Sequence, residues 1–192
     1  LVTREGSREV YDDIARISLT PKGEILIDGK EKEGAETDRR TPRQEVRVHT
    51  SELVVPKGKR AHLQLSDGTR VWINSASVLR FPSAFGDTRD VFVEGEAYFE
   101  VAKNKEKRFI VCCNDLEIEA LGTTFDVKGY RDDHSVTMLL AEGSIRVSNK
   151  TDATLLKPGE KVEYNKNKQT FTKSAISDMR EIDFWRNNML IF

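Results

Sequence analysis

The chain has 192 residues and is almost electrically neutral, with 31 lysines and arginines against 32 aspartates and glutamates and a formal net charge of -1. A protein that holds nucleic acid or an anionic bilayer through charge normally carries a net basic excess or a dense basic block, and this sequence has neither. Its longest apolar run, FIVCC at residues 109–113, is far shorter than the roughly 18 residues of a membrane-spanning helix. Nucleic acid is therefore excluded as a partner, and no transmembrane helix is predicted.

The head of the chain predicts a pair of strands followed by a charged loop. In ISLTPKGEILIDG, residues 17–29, apolar residues alternate on both sides of a Pro-Lys-Gly turn, which is typical of a hairpin. Residues 29–45 contain no large apolar side chain, so burial cannot order them. We expect a mobile loop or linker there.

The middle of the chain has a period of two, which is typical of half-buried strands. Between residues 60 and 74, alternating apolar residues flank an Asp-Gly pair at 67–68, a dipeptide that favours a tight hairpin turn. The same pattern predicts turns around Gly95 and at residues 142–143, each between two strands. Further strands are predicted at LEIEAL, at TFDVKGY and on both sides of Asn165.

Many short strands with turn signals between them predict a mainly β protein, built from hairpins that form a sandwich, a roll or a β-solenoid-like domain. We divide the chain into three parts. Residues 1–53 hold the strand pair and the charged loop, residues 54–173 form the β domain, and residues 174–192 form a C-terminal segment that begins a truncated α/β domain.

The C-terminal segment predicts a short amphipathic helix, because apolar residues recur every three positions from Ile176 to Trp185. An apolar stretch follows at the end, and it resembles a strand cut short. Since an unfinished strand leaves backbone groups unpaired, this region is the predicted docking site for a protein partner. The site comprises Trp185, Met189, Leu190, Ile191 and Phe192.

One group of carboxylates suggests chemistry. In VEGEAYFEV, Glu96, Tyr98 and Glu100 share one face of a strand, so two acids flank a phenol, as in a general acid/base or cation site. Alternation alone also places polar residues on the solvent face of a hairpin, and we favour that interpretation. A carbohydrate-binding or ligand-binding β domain that uses this face is the alternative function.

The remaining reactive residues give weaker signals. Cys112 and Cys113 are neighbours, so on a strand they point to opposite faces and a bridge between them would be strained. One buried and one near-surface thiol is favoured, and a redox sensor is a third hypothesis. The histidines, His49, His62 and His134, lack metal-binding spacing. No catalytic, metal or cofactor-binding residue is predicted, and the chain is expected not to be an enzyme.

The order of the motifs is more specific than any one of them. Along residues 54–164 the chain resembles the periplasmic domain of the FecR family, in the version found in Bacteroidetes. The resemblance rests on VVPKGKRAHLQLSDGTRVWINSASVLRFPSAF, RDVFVEGEAYFEVAKNKEKRFIV, LEIEALGTTFDVKGY, LAEGSIRV and LLKPGEKVEYN, which occur in that order.

The resemblance implies a role in signalling. Proteins of this kind are single-pass anti-sigma factors of the inner membrane, and their cytoplasmic segment holds an extracytoplasmic-function sigma factor. Their periplasmic part receives a signal from the N-terminal extension of a TonB-dependent outer-membrane transporter, commonly one for iron chelates or glycans. This chain would be only the periplasmic middle of such a protein. The family has no catalytic residues to transfer, and no cofactor is expected.

Overall fold

The computed structural model describes residues 16–19, 25–27, 30–31, 50–182 and 184–187. Strands dominate this part of the chain, as the sequence predicts. They are β1 (Arg16–Leu19), β2 (Ile25–Ile27), β3 (Lys30–Glu31), β4 (Thr50–Val55), β5 (Ala61–Gln64), β6 (Arg70–Ile73), β7 (Ser77–Pro82), β8 (Arg89–Glu100), β9 (Phe109–Cys113), β10 (Leu116–Ala120), β11 (Thr124–Gly129), β12 (Ser135–Glu142), β13 (Ile145–Ser148), β14 (Ala153–Leu156), β15 (Glu160–Asn165) and β16 (Thr170–Ala175).

Helical structure is confined to the C-terminal end of the described chain. A 3-10 helix spans Met179–Ile182, and α1 (Phe184–Asn187) follows it. The predicted helix is thus present but begins later than Ile176 and consists of two short pieces. Among the helices that the structure describes, none is long and apolar enough to cross a membrane.

Two sheets share strand β8. Sheet A has the order β4-β7-β8-β9-β10-β13-β14, and sheet B has the order β3-β2-β1-β5-β6-β8-β11-β12-β15-β16. The first half of β8 pairs with β7 and β9, and its second half pairs with β6 and β11. Because one strand belongs to both sheets, they fold over each other as a roll and enclose a common core.

The core is made by alternate residues of both sheets. Phe99 of sheet B stacks on Phe125 with ring centroids 5.2 Å apart, and it meets the edge of Phe109 from sheet A at 6.1 Å. All three rings are fully buried, and burying one such side chain stabilises the fold by roughly 1.5–3 kcal/mol. These contacts hold the two sheets together.

Several predicted hairpins are confirmed. β5 and β6 pair in antiparallel orientation around residues 67–68, where Asp67 accepts a hydrogen bond from the amide of Thr69 at 2.9 Å. β1 pairs with β2, so that Ile17 lies opposite Ile27. β15 pairs with β16 as the pattern around Asn165 predicts.

Two predicted hairpin turns are wrong. Gly95 lies inside the 12-residue strand β8, and residues 142–143 join β12 of sheet B to β13 of sheet A, two strands that pair with other neighbours. Gly95 and Gly143 both have positive φ, at 107° and 85°. A glycine bends a chain at a passage between sheets as readily as in a hairpin turn, which explains both errors.

The charged loop predicted at 29–45 is wrong at its start, because residues 30–31 form β3 and pair with β2. The rest of that loop lies outside the described residues. The proposed division into residues 1–53, 54–173 and 174–192 stays a prediction.

Candidate functional site

A line of side chains crosses the outer face of sheet B. The strand register places one residue from each of five neighbouring strands directly opposite the next. Their neighbours along each strand point into the core, so these side chains point away from it. We call this line the outer row, and it consists of His62, Trp72, Tyr98, Asp126 and Leu139.

The C-terminal strap, residues 176–182 and 184–187, packs on the outer row. Ile182 and Trp185 are buried there, and they form an apolar cluster with two residues of the row that is separate from the main core. The strap is therefore held by the sheet's outer face, on the side away from the core.

A buried hydrogen bond joins the strap to the row. The indole Nε1 of Trp185 donates to Oδ1 of Asp126 at 3.2 Å, and the Asp126 side chain is buried. Burial raises the pKa of Asp126 well above its usual value, and the charge of Glu96 adds to this, whereas the Trp185 hydrogen bond and Lys128 oppose it. Burial outweighs the two opposing contacts, so the folded state favours the protonated carboxyl of Asp126.

Replacing Asp126 by asparagine is expected to make the protein's stability less dependent on pH. The folded state holds the Asp126 proton more tightly than the unfolded state. The wild-type free energy of unfolding therefore falls as the pH rises from the ordinary carboxyl pKa towards the raised one, by up to about 1.4 kcal/mol per pH unit. Asparagine keeps an acceptor oxygen for Trp185 and has no such proton to lose.

Thermal unfolding followed by circular dichroism between pH 5 and pH 8 measures this effect. The Asp126→Asn protein should gain stability relative to the wild type as the pH rises. A difference between the two proteins that stays constant over this range would contradict the assignment.

Arg186 is the second anchor of the strap. Its guanidinium carbon lies 4.4 Å from the ring centroid of Tyr98 and 4.9 Å from that of Trp72. Its Nη1 donates to Oε1 of Glu100 at 2.8 Å. Each cation–π contact contributes about 0.5–2 kcal/mol, and hydrogen bonds between charged groups are stronger than neutral ones. Arg186 therefore fixes the strap across β6 and β8.

The predicted Glu96, Tyr98 and Glu100 do lie on one outer face, yet this face is not exposed to solvent as expected. Tyr98 is only 4% exposed and belongs to the cluster that the strap completes. Glu96 accepts a hydrogen bond from Nδ2 of Asn74 at 2.6 Å, and Glu100 is bound to Arg186. The acids and the phenol are engaged with the protein's own side chains.

Trp185, the one described member of the predicted docking site, is 9% exposed and packs on its own sheet. The other members, residues 189–192, lie outside the described part of the chain. Partner docking at this site stays a prediction.

The two cysteines point to opposite sides of β9, as predicted. Cys112 is half-buried, Cys113 is buried, and both are free thiols. Burial raises the pKa of Cys112, and it raises that of Cys113 to about 12. Because the thiolate is the reactive form, these surroundings disfavour the redox hypothesis.

The histidines are spread over the fold. His62 belongs to the outer row, His134 precedes β12, and His49 is outside the described residues. Within the described ranges, no group of three or more His, Cys, Asp or Glu side chains is placed to hold a metal ion.

Comparison with known proteins identifies relatives of this architecture. The sequence model of the FecR protein family matches residues 51–146, which is half of the chain. Two similar crystal structures are each of a proposed anti-sigma factor from Parabacteroides distasonis, with 30% identity and a TM-score of 0.69 in one case and 31% and 0.68 in the other. Each match covers 71% of this chain and 64% of the other chain, so this chain spans under two thirds of their length. No curated protein matches.

Proposed function

Because the chain belongs to the FecR family, we propose that it is the signal-receiving domain of a transmembrane anti-sigma factor. In this proposal the domain lies in the periplasm, and the full protein is anchored in the inner membrane. A cytoplasmic segment outside this chain binds an extracytoplasmic-function sigma factor. The signal comes from a TonB-dependent outer-membrane transporter for an iron chelate or a glycan, and the role of the domain is regulatory rather than enzymatic.

The structural observation that supports this function best is the strap docked on the outer row. The β domain has a continuous core shared by both sheets, whereas the strap is attached at its surface mainly through Ile182, Trp185 and Arg186. A partner that binds the chain beyond the strap would act on those contacts first. Such an arrangement suits a domain that passes on the state of a bound protein.

The same contacts disfavour the alternative of a ligand-binding β domain. A carbohydrate or another ligand at Glu96, Tyr98 and Glu100 would have to displace the strap. It would also have to break the ion pair between Arg186 and Glu100. Displacing such a well-paired group costs affinity unless the ligand replaces its bonds.

Titration calorimetry tests the transporter as partner. The titrants are the N-terminal signalling domains of the TonB-dependent transporters encoded in the same genome, tested one at a time. We expect one of them to bind the complete periplasmic part of the proposed full-length protein at least about tenfold more tightly than residues 1–192 alone, a difference of about 1.4 kcal/mol. Equal affinities would show that no residue beyond 192 contributes to docking and would contradict the interpretation of residues 189–192 as a strand that is completed further along the chain. Absence of binding to both proteins would overturn the transporter as the source of the signal.

A transcription reporter tests the anti-sigma role. In cells that carry a reporter for the cognate sigma factor, the transporter's substrate should induce transcription when the full-length protein is present. Deleting the coding region for residues 50–187 should abolish this induction. Normal induction after the deletion would overturn the proposed function.

A further inference from the structure

We propose that the C-terminal strap is a reversible latch, in which Arg186 holds the strap on the outer row and Arg70 takes over its partners when the strap leaves. The inference deepens the proposed function and rests on it only for the role of the latch in signalling. The latch itself is a property of residues within this chain.

Two arginines share the same partners on the outer face. Arg186 binds Oε1 of Glu100 at 2.8 Å, and Arg70 forms an ion pair with Oε2 of the same carboxylate. Both guanidinium groups also face the ring of Trp72, at 4.9 Å for Arg186 and 5.7 Å for Arg70. The two cations therefore share one acid and one aromatic ring while the strap is docked, and Arg70 already lies beside both partners when Arg186 leaves.

Arg70 remains in place whether or not the strap is docked. It lies on β6 directly opposite Glu100 of β8 in the strand register, so the sheet holds it beside its partners. When the strap leaves, Glu100 keeps one cation, and no unpaired buried charge results, which would be costly. Glu100 therefore remains paired with Arg70 on the undocked face.

The ring side chains of the outer row also pack against one another. Trp72 contacts His62, with ring centroids 4.6 Å apart, and it meets the edge of Tyr98 at 5.7 Å. These contacts run between neighbouring strands of sheet B and do not involve the strap. The row therefore keeps its arrangement in both states.

The strap, in contrast, depends on the sheet for its order. Each of its two helical pieces has 4 residues, and helices this short are unstable alone in water. The strap also donates its Trp185 hydrogen bond to a buried carboxyl, that of Asp126, whose charged form is disfavoured by burial and by Glu96, and this desolvation offsets part of what the contacts of Trp185 and Arg186 contribute. Elements of this kind open at a lower free energy than the core.

Hydrogen exchange and fluorescence of the purified chain measure docking directly. Trp72 and Trp185 are the 2 tryptophans of the chain, and both lie at this interface, so their emission reports docking. Exchange of the backbone amides in the strap peptide, followed by mass spectrometry, reports how often the strap opens. Exchange in β9 and β10 of sheet A serves as the internal control for an intact fold.

Replacing Arg186 and replacing Arg70 are expected to change amide exchange in the strap in opposite directions. Arg186→Gln should accelerate exchange in the strap roughly 10- to 100-fold and shift the tryptophan emission to longer wavelength, because two cation–π contacts and a charged hydrogen bond are lost. Arg70→Gln should slow exchange about threefold, because Glu100 then has Arg186 as its main cation and the released state loses its substitute. Arg70 is more than half exposed, so its replacement leaves the fold intact.

Arg180 supplies the matched control within the strap. Its side chain is 85% exposed and pairs with Asp178 of the same segment, so Arg180→Gln removes the same charge without touching the row. Exchange in that protein should equal the wild type. If Arg186→Gln leaves amide exchange in the strap unchanged, the proposal of a latch is wrong. If Arg70→Gln accelerates this exchange as Arg186→Gln does, the proposal that Arg70 takes over the partners of Arg186 is wrong.

The reporter cells then separate the latch from the proposed function. Release of the strap is the signalling state, so Arg186→Gln in the full-length protein should raise uninduced transcription towards the induced level, and Arg180→Gln should not. A wild-type strain that cannot be induced overturns the proposed function, and the exchange data still decide the latch. An inducible wild type with an unaltered Arg186→Gln strain overturns the signalling role of the latch.

Discussion

Replacing Arg89 by leucine is expected to lower the free energy of unfolding by about 3–5 kcal/mol, the range for breaking a buried ion pair by removing one partner. Arg89 begins β8, and its side chain is only 1% exposed. Its Nη1 donates to Oδ2 of Asp67 at 2.7 Å and to the carbonyl of Ala102 at 2.9 Å. Its Nε and Nη2 donate to the carbonyl of Lys107 at 3.1 Å and 2.8 Å.

The loss is large because one side chain satisfies three acceptor groups in two connections of the chain. Asp67 belongs to the β5–β6 turn, and Ala102 and Lys107 lie in the connection between β8 and β9. Leucine fills part of the volume but leaves the carboxylate and the carbonyl of Lys107 without these donors. Buried groups that lose their partners carry the full cost of their lost hydration.

Urea denaturation followed by circular dichroism measures this loss, with Arg80→Leu as the matched control. Arg80 lies on β7, is 43% exposed and forms an ion pair with Glu52. A surface pair of this kind is worth about 0–1 kcal/mol. Similar losses for the two proteins would contradict the role given to burial of Arg89.

The strands could be predicted from the sequence because their signal is local. Alternation at Leu63 and Val71 and the Asp-Gly pair at 67–68 define β5, β6 and their turn within a few residues, and the structure contains that hairpin. The pairing of distant strands has no such local signal. β1 lies parallel to β5, and β8 lies parallel to β9, and neither pair is joined by a tight turn.

The site could be predicted only in part for the same reason. Alternation correctly placed Glu96, Tyr98 and Glu100 on one face, but the strap that covers this face is remote in the sequence. Arg186 binds Glu100 across 86 positions of the chain. The outward position of Asp126 follows from TFDVKGY, yet no short pattern indicates that it is buried or that it binds Trp185.

Gly95 shows how one residue type gives two different structures. The sequence around it predicts a hairpin turn, since glycine adopts positive φ in such turns. In the structure its φ of 107° lies within an unbroken strand, where β8 passes from sheet A to sheet B. The local sequence pattern does not distinguish a hairpin turn from the passage of one strand between two sheets. The strands that pair with the residues on either side of the glycine decide which of the two forms.

Replacing Gly95 by alanine is expected to lower the free energy of unfolding by roughly 2–5 kcal/mol, because backbone strain and overpacking add together. A Cβ atom at Gly95 would lie 2.2 Å from Oγ of Ser77 and 2.8 Å from its Cα. Ser77 cannot easily move away, because it is buried and its Oγ accepts a hydrogen bond from the amide of Glu96 at 2.9 Å. Since β7 begins at Ser77, the clash would separate β7 from β8.

Gly68→Ala separates the two causes. Gly68 also has positive φ, at 87°, but a Cβ there would meet no atom within 4 Å, so only the backbone strain of about 1–2 kcal/mol is expected. Urea denaturation of both proteins gives the difference, which we expect to be about 1–3 kcal/mol for the close approach to Ser77. Equal losses would mean that positive φ alone requires glycine at position 95. A larger loss at Gly95 would show that the contact between β7 and β8 requires it, at the point where the two sheets join.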